Sequence, residues 1–387
     1  AQINSTVPWV PKSMFANHTS AVEFDPQVPN RAWLTDWFGI WRTDNITAST
    51  PTWTNYEKGH EQTVVFTLLS PPKGALLLSG IADIDGFYHS RLDTYPTRLL
   101  GYKTLLGDRS WQDTYSIAYF EGNPQYLVRV GGSRGDTSSY SGATSHDGGL
   151  TWNKFPTFPE GVLPQRLAVS ATNYKTFVVA TSDKQPFRTQ DEGATWQPVS
   201  GLPVGFSGPW NWTQPLAADS VNGNRFYYYA NGSFYRSDNG GVSFQPINTK
   251  LPNKDWNILK SMPGSEGEVW LGLDEKGLYS SKDGGKTFSK IPQVEKAHLL
   301  SFGKPPKDST IPALYLYGRL ALQRESIYLS LDRGRTWIDI GERHTPIGNE
   351  PLVLEASKQH FGLVFVGTNG RGIFYRSITK EPQILGG

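Results

Sequence analysis

Along this chain, apolar and polar positions alternate over short stretches, and turn residues interrupt them at regular intervals. The pattern predicts strands of a few residues rather than long elements. Each interval reads as an alternating inner strand, a second strand, a third ending at a polar corner, and a fourth opening on an aromatic residue. The corner has a fixed form, Ser-x-Asp-x-Gly-x-Thr-Trp with variants, at 145–152, 189–196, 237–244, 281–288 and 330–337. Start to start these lie 44, 48, 44 and 49 residues apart, the length of one four-stranded propeller blade. The expected fold is therefore all-β, a β-propeller built of Asp-box repeats.

The corner has a mechanical explanation. A short Asp or Asn side chain can bond the backbone two residues on and hold a turn, while Gly takes a positive φ. Asp147, Asp191, Asn239, Asp283 and Asp332 are the turn formers, and Gly149, Gly193, Gly241, Gly285 and Gly334 follow them. Five equivalent copies favour structural corners over calcium ligands or catalytic acids.

Two earlier repeats lack the box. One runs through 21–25, 32–35 and 39–43 to Trp53. The other runs from Thr63 through 76–79 and Phe87 to Trp111, with a long loop around 92–107. The last stretch, 351–377, has three strands and no fourth. An open edge invites aggregation, so rings commonly borrow the missing strand from the other terminus. Segment 6–11, with Trp9, resembles the fourth strands elsewhere and would close a ring of eight blades. A ring of seven results if 20–56 belongs to a neighbouring propeller.

Composition narrows the class. Forty Gly, 27 Pro and 13% aromatics mark a turn-dense chain, and no apolar run is long enough to span a bilayer. There is no Cys, which excludes disulfides and thiolate metal sites. A net charge of +2 with interspersed signs gives no basic stripe and argues against nucleic acid. The Ala-Gln start without Met matches a mature secreted chain. Asn-x-Ser/Thr acceptors at Asn4, Asn17, Asn45, Asn211 and Asn231 add glycosylation to that expectation.

Several segments resemble one enzyme family. They include Leu69-Ser70-Pro71-Pro72, Ala82-Asp83-Ile84-Asp85-Gly86-Phe87-Tyr88-His89 and Thr114-Tyr115-Ser116-Ile117. Asn123-Pro124, Val128-Arg129-Val130-Gly131, Phe226-Tyr227, Gly232-Ser233-Phe234-Tyr235-Arg236-Ser237 and the run from Val364 to Ile373 follow in order. The chain is similar to the two-propeller xyloglucan hydrolases, comprising endo-xyloglucanases and oligoxyloglucan reducing-end-specific cellobiohydrolases. The resemblance covers the second propeller, preceded by what matches the last blade of the first. It ranks seven blades above eight, with 1–56 as an N-terminal strand plus a blade, 57–377 as the propeller and 378–387 as a tail.

The family inverts its substrate with two aspartates, one from each propeller. One carboxylic acid protonates the leaving oxygen and one carboxylate activates water. The resemblance assigns Asp83 as the general acid. Asp85 stands where the family has glycine and is a candidate modulator of Asp83, unless it points to the opposite face. The base is not visible, although Asp93 and Asp113 flank the long loop. A turn-capping role is the structural alternative for Asp83.

Sugars offer apolar faces and hydroxyl rims, so exposed Trp and Tyr suit them. Trp210, Trp212, Trp37, Trp41, Tyr88 and His89 are the candidate contacts, whereas Trp53, Trp111, Trp152, Trp196 and Trp337 read as blade packing. His89 has no second His at metal-ligand spacing, and neither a metal nor a cofactor is expected. Arg134-Gly135-Asp136 and Gly370-Arg371-Gly372 read as local turn chemistry. The expected function is a secreted glycoside hydrolase acting on a plant cell-wall β-1,4-glucan such as xyloglucan, its base supplied by a second propeller chain, a removed segment or a residue not recognised in the sequence. The alternative is a noncatalytic carbohydrate-binding or protein-scaffold propeller.

Overall fold

The computed structural model describes residues 1–10, 12–96, 98–101, 111–342, 347 and 350–378. Pro11, residues 97 and 102–107 of the long loop and all of the tail but Ile378 lie outside them. The chain is an all-β propeller. Its inner strands are Val65–Leu69, Asp113–Phe120, Pro164–Val169, Leu216–Ala218, Ile258–Ser261, Val294–Gly303 and Pro351–Ala356. Each packs beside the next, and the last packs back on the first.

Four of the sheets behind these strands are four-stranded antiparallel meanders, and the last has three strands. Their inner strands do not show the alternating burial expected of a one-sided sheet. Pro164–Val169 and Pro351–Ala356 are buried at every position, as are second strands such as Phe177–Thr181 and Phe226–Ala230. The reason is architectural, since each sheet lies between two neighbours and has no solvated face near the axis. Aromatics fill the gaps between sheets, for example Phe234 against Phe288 with ring centroids 4.9 Å apart.

The first two sheets of the ring are joined. The inner strand Asp113–Phe120 begins beside Asp85–His89, with Asp113 paired in parallel to Asp85, so one eight-stranded sheet runs through both. This junction carries the candidate site.

A separate five-stranded sheet, built from Gln2–Ser5, Ala21–Phe24, Ala32–Asp36, Gly39–Thr43 and Thr52–Asn55, precedes the ring. Here the structure corrects the expectation for segment 6–11. Gln2–Ser5 pairs in parallel with Thr52–Asn55, and residues 6–10 form turns rather than a strand. No strand among the described residues pairs with the outer edge of Ile373–Ser377. Val7, Trp9, Val10 and Met14 instead pack between the first sheet and the ring, in one core with Trp41, Trp53, Phe87 and Phe365. An apolar plug gains more from that interior than from an edge.

The five corners share one hydrogen-bond set. In the corner at 281–288, Ser281 Oγ donates to Asp283 at 2.7 Å and accepts from Gly285 N at 2.9 Å. Asp283 accepts from the Thr287 amide at 3.0 Å and hydroxyl at 2.6 Å. The carboxylate thus reaches four residues on, not the two expected of a simple Asx turn, because it must span a Gly at φ +88°. Asn239 makes the equivalent bonds, accepting from Ser243 N at 3.1 Å and donating to Ser243 Oγ at 2.9 Å.

Burial opposes ionisation of Asp283, but the bonds from Thr287 and Ser281 outweigh it and pull the group down to about 2. The folded value lies below the unfolded ~3.9, so the stabilisation is present above about pH 4 and fades as pH falls through about 2. Asp283→Asn should keep the turn, as Asn239 shows, and lose the titration. The wild type's advantage in urea midpoint, at most ~1 kcal/mol for so exposed a carboxylate, should disappear between about pH 4 and pH 2. An advantage that persists at the lower pH would refute this account.

Candidate active site

Strands Leu77–Ile81 and Asp85–His89 pair with Ile81 opposite Asp85, which leaves Ala82-Asp83-Ile84 as a three-residue tip. Asp83 and Asp85 hold φ of +67° and +71°, a region that Asp tolerates better than most side chains. Gly86 follows at φ +152°, where a Cβ would run into the Ser79 carbonyl oxygen. The Asp-x-Asp-Gly order therefore suits this turn.

Asp85 is fully buried. Its Oδ1 accepts from Arg129 Nη1 at 2.5 Å and from Thr114 Oγ1 at 2.6 Å. Arg129 is also fully buried, with its guanidinium 4.4 Å from the Trp111 ring and 5.0 Å from that of Trp152. This corrects the reading of Asp85 as a modulator of Asp83. Its carboxylate turns inward to neutralise an arginine that locks two blades together.

Asp83 turns toward the face. Its amide donates to Asp113 Oδ1 at 3.0 Å, and its Oδ1 accepts from Gln112 Nε2 at 2.7 Å and from Arg134 Nη2. Arg134 reaches Asp113 as well, Nε to Oδ2 at 3.2 Å, and Tyr115 OH donates to that oxygen at 2.8 Å. Burial pushes Asp113 up to about 6, against the pull of the Asp83 amide, Arg134 and Tyr115.

An aromatic wall continues from this cluster. The Arg134 guanidinium lies 4.5 Å from the Trp210 ring. Trp210 and Trp212 stack near-parallel at 6.0 Å, and both stack on Phe66. The Trp212 indole donates to Val65 O at 2.9 Å, while Trp210 stays 51% exposed. Arg166 holds the loop from beneath through the carbonyls of Asn211 and Thr213. Asp83 also lines a cavity of about 410 Å³ with Asp36, Trp37 and Glu57 of the first sheet region. Burial, helped by neighbouring Glu61 and Asp36, pushes Glu57 up to about 7.

The other predicted residues lie elsewhere. Tyr88 and His89 are three and four positions beyond Asp85, about 10–13 Å along the strand, and are not brought to Asp83. His89 Nε2 meets Ser79 Oγ at 2.9 Å, and burial pulls the ring down to about 4. His89 lines a separate cavity of about 620 Å³ together with Asp93, which pairs with Arg91 at 2.6 Å. Trp37 is exposed, but Trp41 is fully buried beside Phe15 at 5.2 Å and cannot face a ligand. Asn4, Asn45 and Asn231 are exposed, whereas Asn17 and Asn211 are half-buried. Asn211 Oδ1 accepts from the Thr213 amide and hydroxyl.

Sequence reasoning missed Arg134, dismissed as turn chemistry, and also Gln112 and Glu57. A signal existed for Arg134. It tips the hairpin of Asn123–Ser133 and Asp136–Ser145, strands of 11 and 10 residues where neighbouring blades use three to five. Glu57 carried no such signal.

Removing one partner of a buried ion pair leaves an uncompensated charge. Asp85→Asn should therefore lower unfolding stability by about 3–5 kcal/mol, read from the urea midpoint. A loss below about 1 kcal/mol, as for a surface pair, would show that the Arg129 junction is not a structural lock.

No family model matches the chain. It is 33% identical over 376 residues to a xyloglucanase of Paenibacillus sp, covering 92% of this chain and 34% of the relative. It is 31% identical over 407 residues to a probable oligoxyloglucan-reducing end-specific xyloglucanase of Neosartorya fischeri, covering 95% and 48%. The solved GH74 xyloglucanase from Xanthomonas campestris superposes with a TM-score of 0.80 at 29% identity, over 98% of this chain and 53% of that one. The chain spans a third to a half of the length of these curated relatives. By sequence and fold together, nearly the whole of this chain is similar to one part of the xyloglucan hydrolases.

Proposed function

We propose that this chain forms one wall of the active cleft of a secreted, inverting glycoside hydrolase acting on a β-1,4-glucan such as xyloglucan. Asp83 is the general acid, and the base comes from a facing propeller. The placement of Asp83 carries the reading. It stands on a hairpin tip, its carboxylate oriented by Gln112 and Arg134, with the exposed Trp210 beside it as a platform for a sugar face. The relatives' xyloglucanase names supply the substrate class.

The same reading divides the chain. The inner strands from Val65–Leu69 to Pro351–Ala356 form a seven-bladed ring, and the first sheet is a blade of the facing propeller. Strand Ala21–Phe24 is exposed throughout, with Val22 and Phe24 uncovered, as befits an edge awaiting another sheet. Trp37 then lies across the cleft from Asp83.

Asp113 is not the second carboxylate. Inversion requires roughly 6.5–9.5 Å between the two carboxyls so that a sugar and a water fit. Asp113 lies beneath Asp83 and shares the Arg134 guanidinium with it. That arrangement also supports the second reading, a noncatalytic glucan-binding propeller in which Arg134 holds Asp83 as a structural carboxylate.

The two readings separate in one assay. The chain, alone and joined to the facing propeller of a xyloglucanase relative, and its Asp83→Asn variant in both forms are incubated with xyloglucan and unbranched β-glucan, new reducing ends are measured, and affinity electrophoresis reports binding. The hydrolase reading expects release only from the joined wild type, a loss of at least ~10³-fold in its Asp83→Asn variant, and retained binding by all forms. Binding without release by the joined wild type favours the noncatalytic reading. Trp210→Ala should weaken retardation by roughly 10-fold, about the 1.4 kcal/mol expected of one stacked ring. Undiminished binding would remove Trp210 from the site.

A further inference from the structure

The inner strands enclose an axial channel holding a cavity of about 220 Å³, far more than one water needs. Six charged side chains line it: Glu121, Arg166, Asp219, Lys260, Glu355 and Lys358. The carboxylates are all satisfied. Glu355 accepts from Lys358 Nζ at 2.5 Å, Ser70 N at 3.0 Å and Ser301 Oγ at 3.1 Å. Asp219 accepts from Tyr227 OH at 2.6 Å and from the amides of Val221 and Gly267. Glu121 takes the Tyr119 hydroxyl at 3.0 Å, and burial holds its carboxyl up despite Lys358 nearby.

Two of the cations have no carboxylate partner among the described residues. There Arg166 donates only to backbone carbonyls, those of Thr213, Tyr115, Gln165 and Asn211 at 2.7–2.8 Å. Lys260, on Ile258–Ser261, makes no hydrogen bond or ion pair among the described residues. Gln214 also lines the channel, and its side chain makes no hydrogen bond among the described residues. The two neighbour each other, since Leu259 N donates to Gln214 O at 2.9 Å. Half-buried in the channel, the Lys260 ammonium has three donors and no protein acceptor among the described residues, which leaves those donors to water or a ligand. Burial draws Lys260 down to about 8, with Glu355 opposing and Lys358 and Arg166 adding to the fall. It still carries its charge at neutral pH.

We propose that the axial channel is a binding site for a small oxyanion, a carboxylate or phosphate, held by the Lys260 ammonium and the Gln214 amide. Lys260 and Arg166 offer an anion two positive charges, and the enclosing sheets lower the dielectric and so strengthen the attraction. A hydrogen-bonded oxyanion supplies the acceptors that Lys260 and Gln214 lack, whereas water supplies acceptors without charge. Asp83 is not part of its lining, although Phe66 and Arg166 of the channel also support the Trp210–Trp212 loop.

Inorganic phosphate and malonate are titrated separately into the full chain and its Lys260→Met, Lys260→Arg and Lys250→Met variants by calorimetry, at constant ionic strength set with chloride; Lys250 is an exposed lysine outside the channel. The expected result is saturable binding of one anion per chain, the tighter of the two identifying the ligand class. Lys260→Met should weaken it at least 10-fold, while Lys260→Arg and Lys250→Met stay within about threefold of wild type. Lys260→Met removes an unpaired charge and should melt no lower than wild type, which separates lost binding from lost fold. No saturable heat with either anion, or equal binding by Lys260→Met, overturns the proposal.

Discussion

A ring of sheets exists only when its last sheet meets its first. The packing of each sheet of the ring against its neighbours presupposes that closure, because a sheet buried on both faces cannot be stable with one face open. The closure joins positions 285 residues apart, with Ser70 N donating to Glu355 at 3.0 Å. Gln359 Nε2 reinforces it by donating to the carbonyls of Pro71 at 2.9 Å and Ala75 at 2.7 Å. The entropic cost of bringing such distant segments together grows only logarithmically with their separation. A few buried bonds and the packing of Val353 and Phe365 in one core with Val65 and Leu68 can therefore hold the ring shut. Glu355 belongs at once to this closure and to the channel, through Ser70, Ser301 and Lys358.

The Asp85–Arg129 pair plays the corresponding part at the opposite side of the first blade. Closure fixes where the blades are, and this pair fixes the angle of one hairpin tip relative to the next blade. Thr114 and the two tryptophans around the guanidinium leave it little freedom. Asp83, two residues away, inherits that rigidity. A candidate acid on a tip needs such support, since positioning to a fraction of an ångström is what makes a proton donor useful.

Much of the fold could be read from the chain because its signals are local. Ser281, Asp283 and Gly285 interact within five residues, so their spacing predicts the corner whatever surrounds it. Asp83 was singled out by resemblance instead, and its place at a hairpin tip comes from the pairing of Ile81 with Asp85. The face on which a side chain emerges was less legible. Trp41 and Trp37 sit four residues apart in one hairpin, yet one is core and the other exposed, a choice made by Phe15 from another segment. His89 follows Asp83 closely in sequence, but an extended strand carries it away. Arg134 was lost because its partner lies 51 residues distant, and no local pattern encodes that meeting.

Arg134 also bears on where the proposed chemistry can be completed. A guanidinium bonded to both Asp83 and Asp113 gathers the two carboxylates of this wall onto one side, leaving no room between them for a sugar and a water. Across the 410 Å³ cavity the first sheet offers Asp36 and Glu57. Asp36 already accepts from the amides of Phe38 and Ala16, both at 2.8 Å, and serves its own turn. Glu57 is only 5% exposed and is pushed toward its neutral form, which suits a proton donor better than a base. On the proposed reading, each carboxyl in reach of Asp83 is thus committed to folding or is on the wrong side of the proton balance. The activating carboxylate must then come from a surface beyond these residues, facing Trp210 across the cleft.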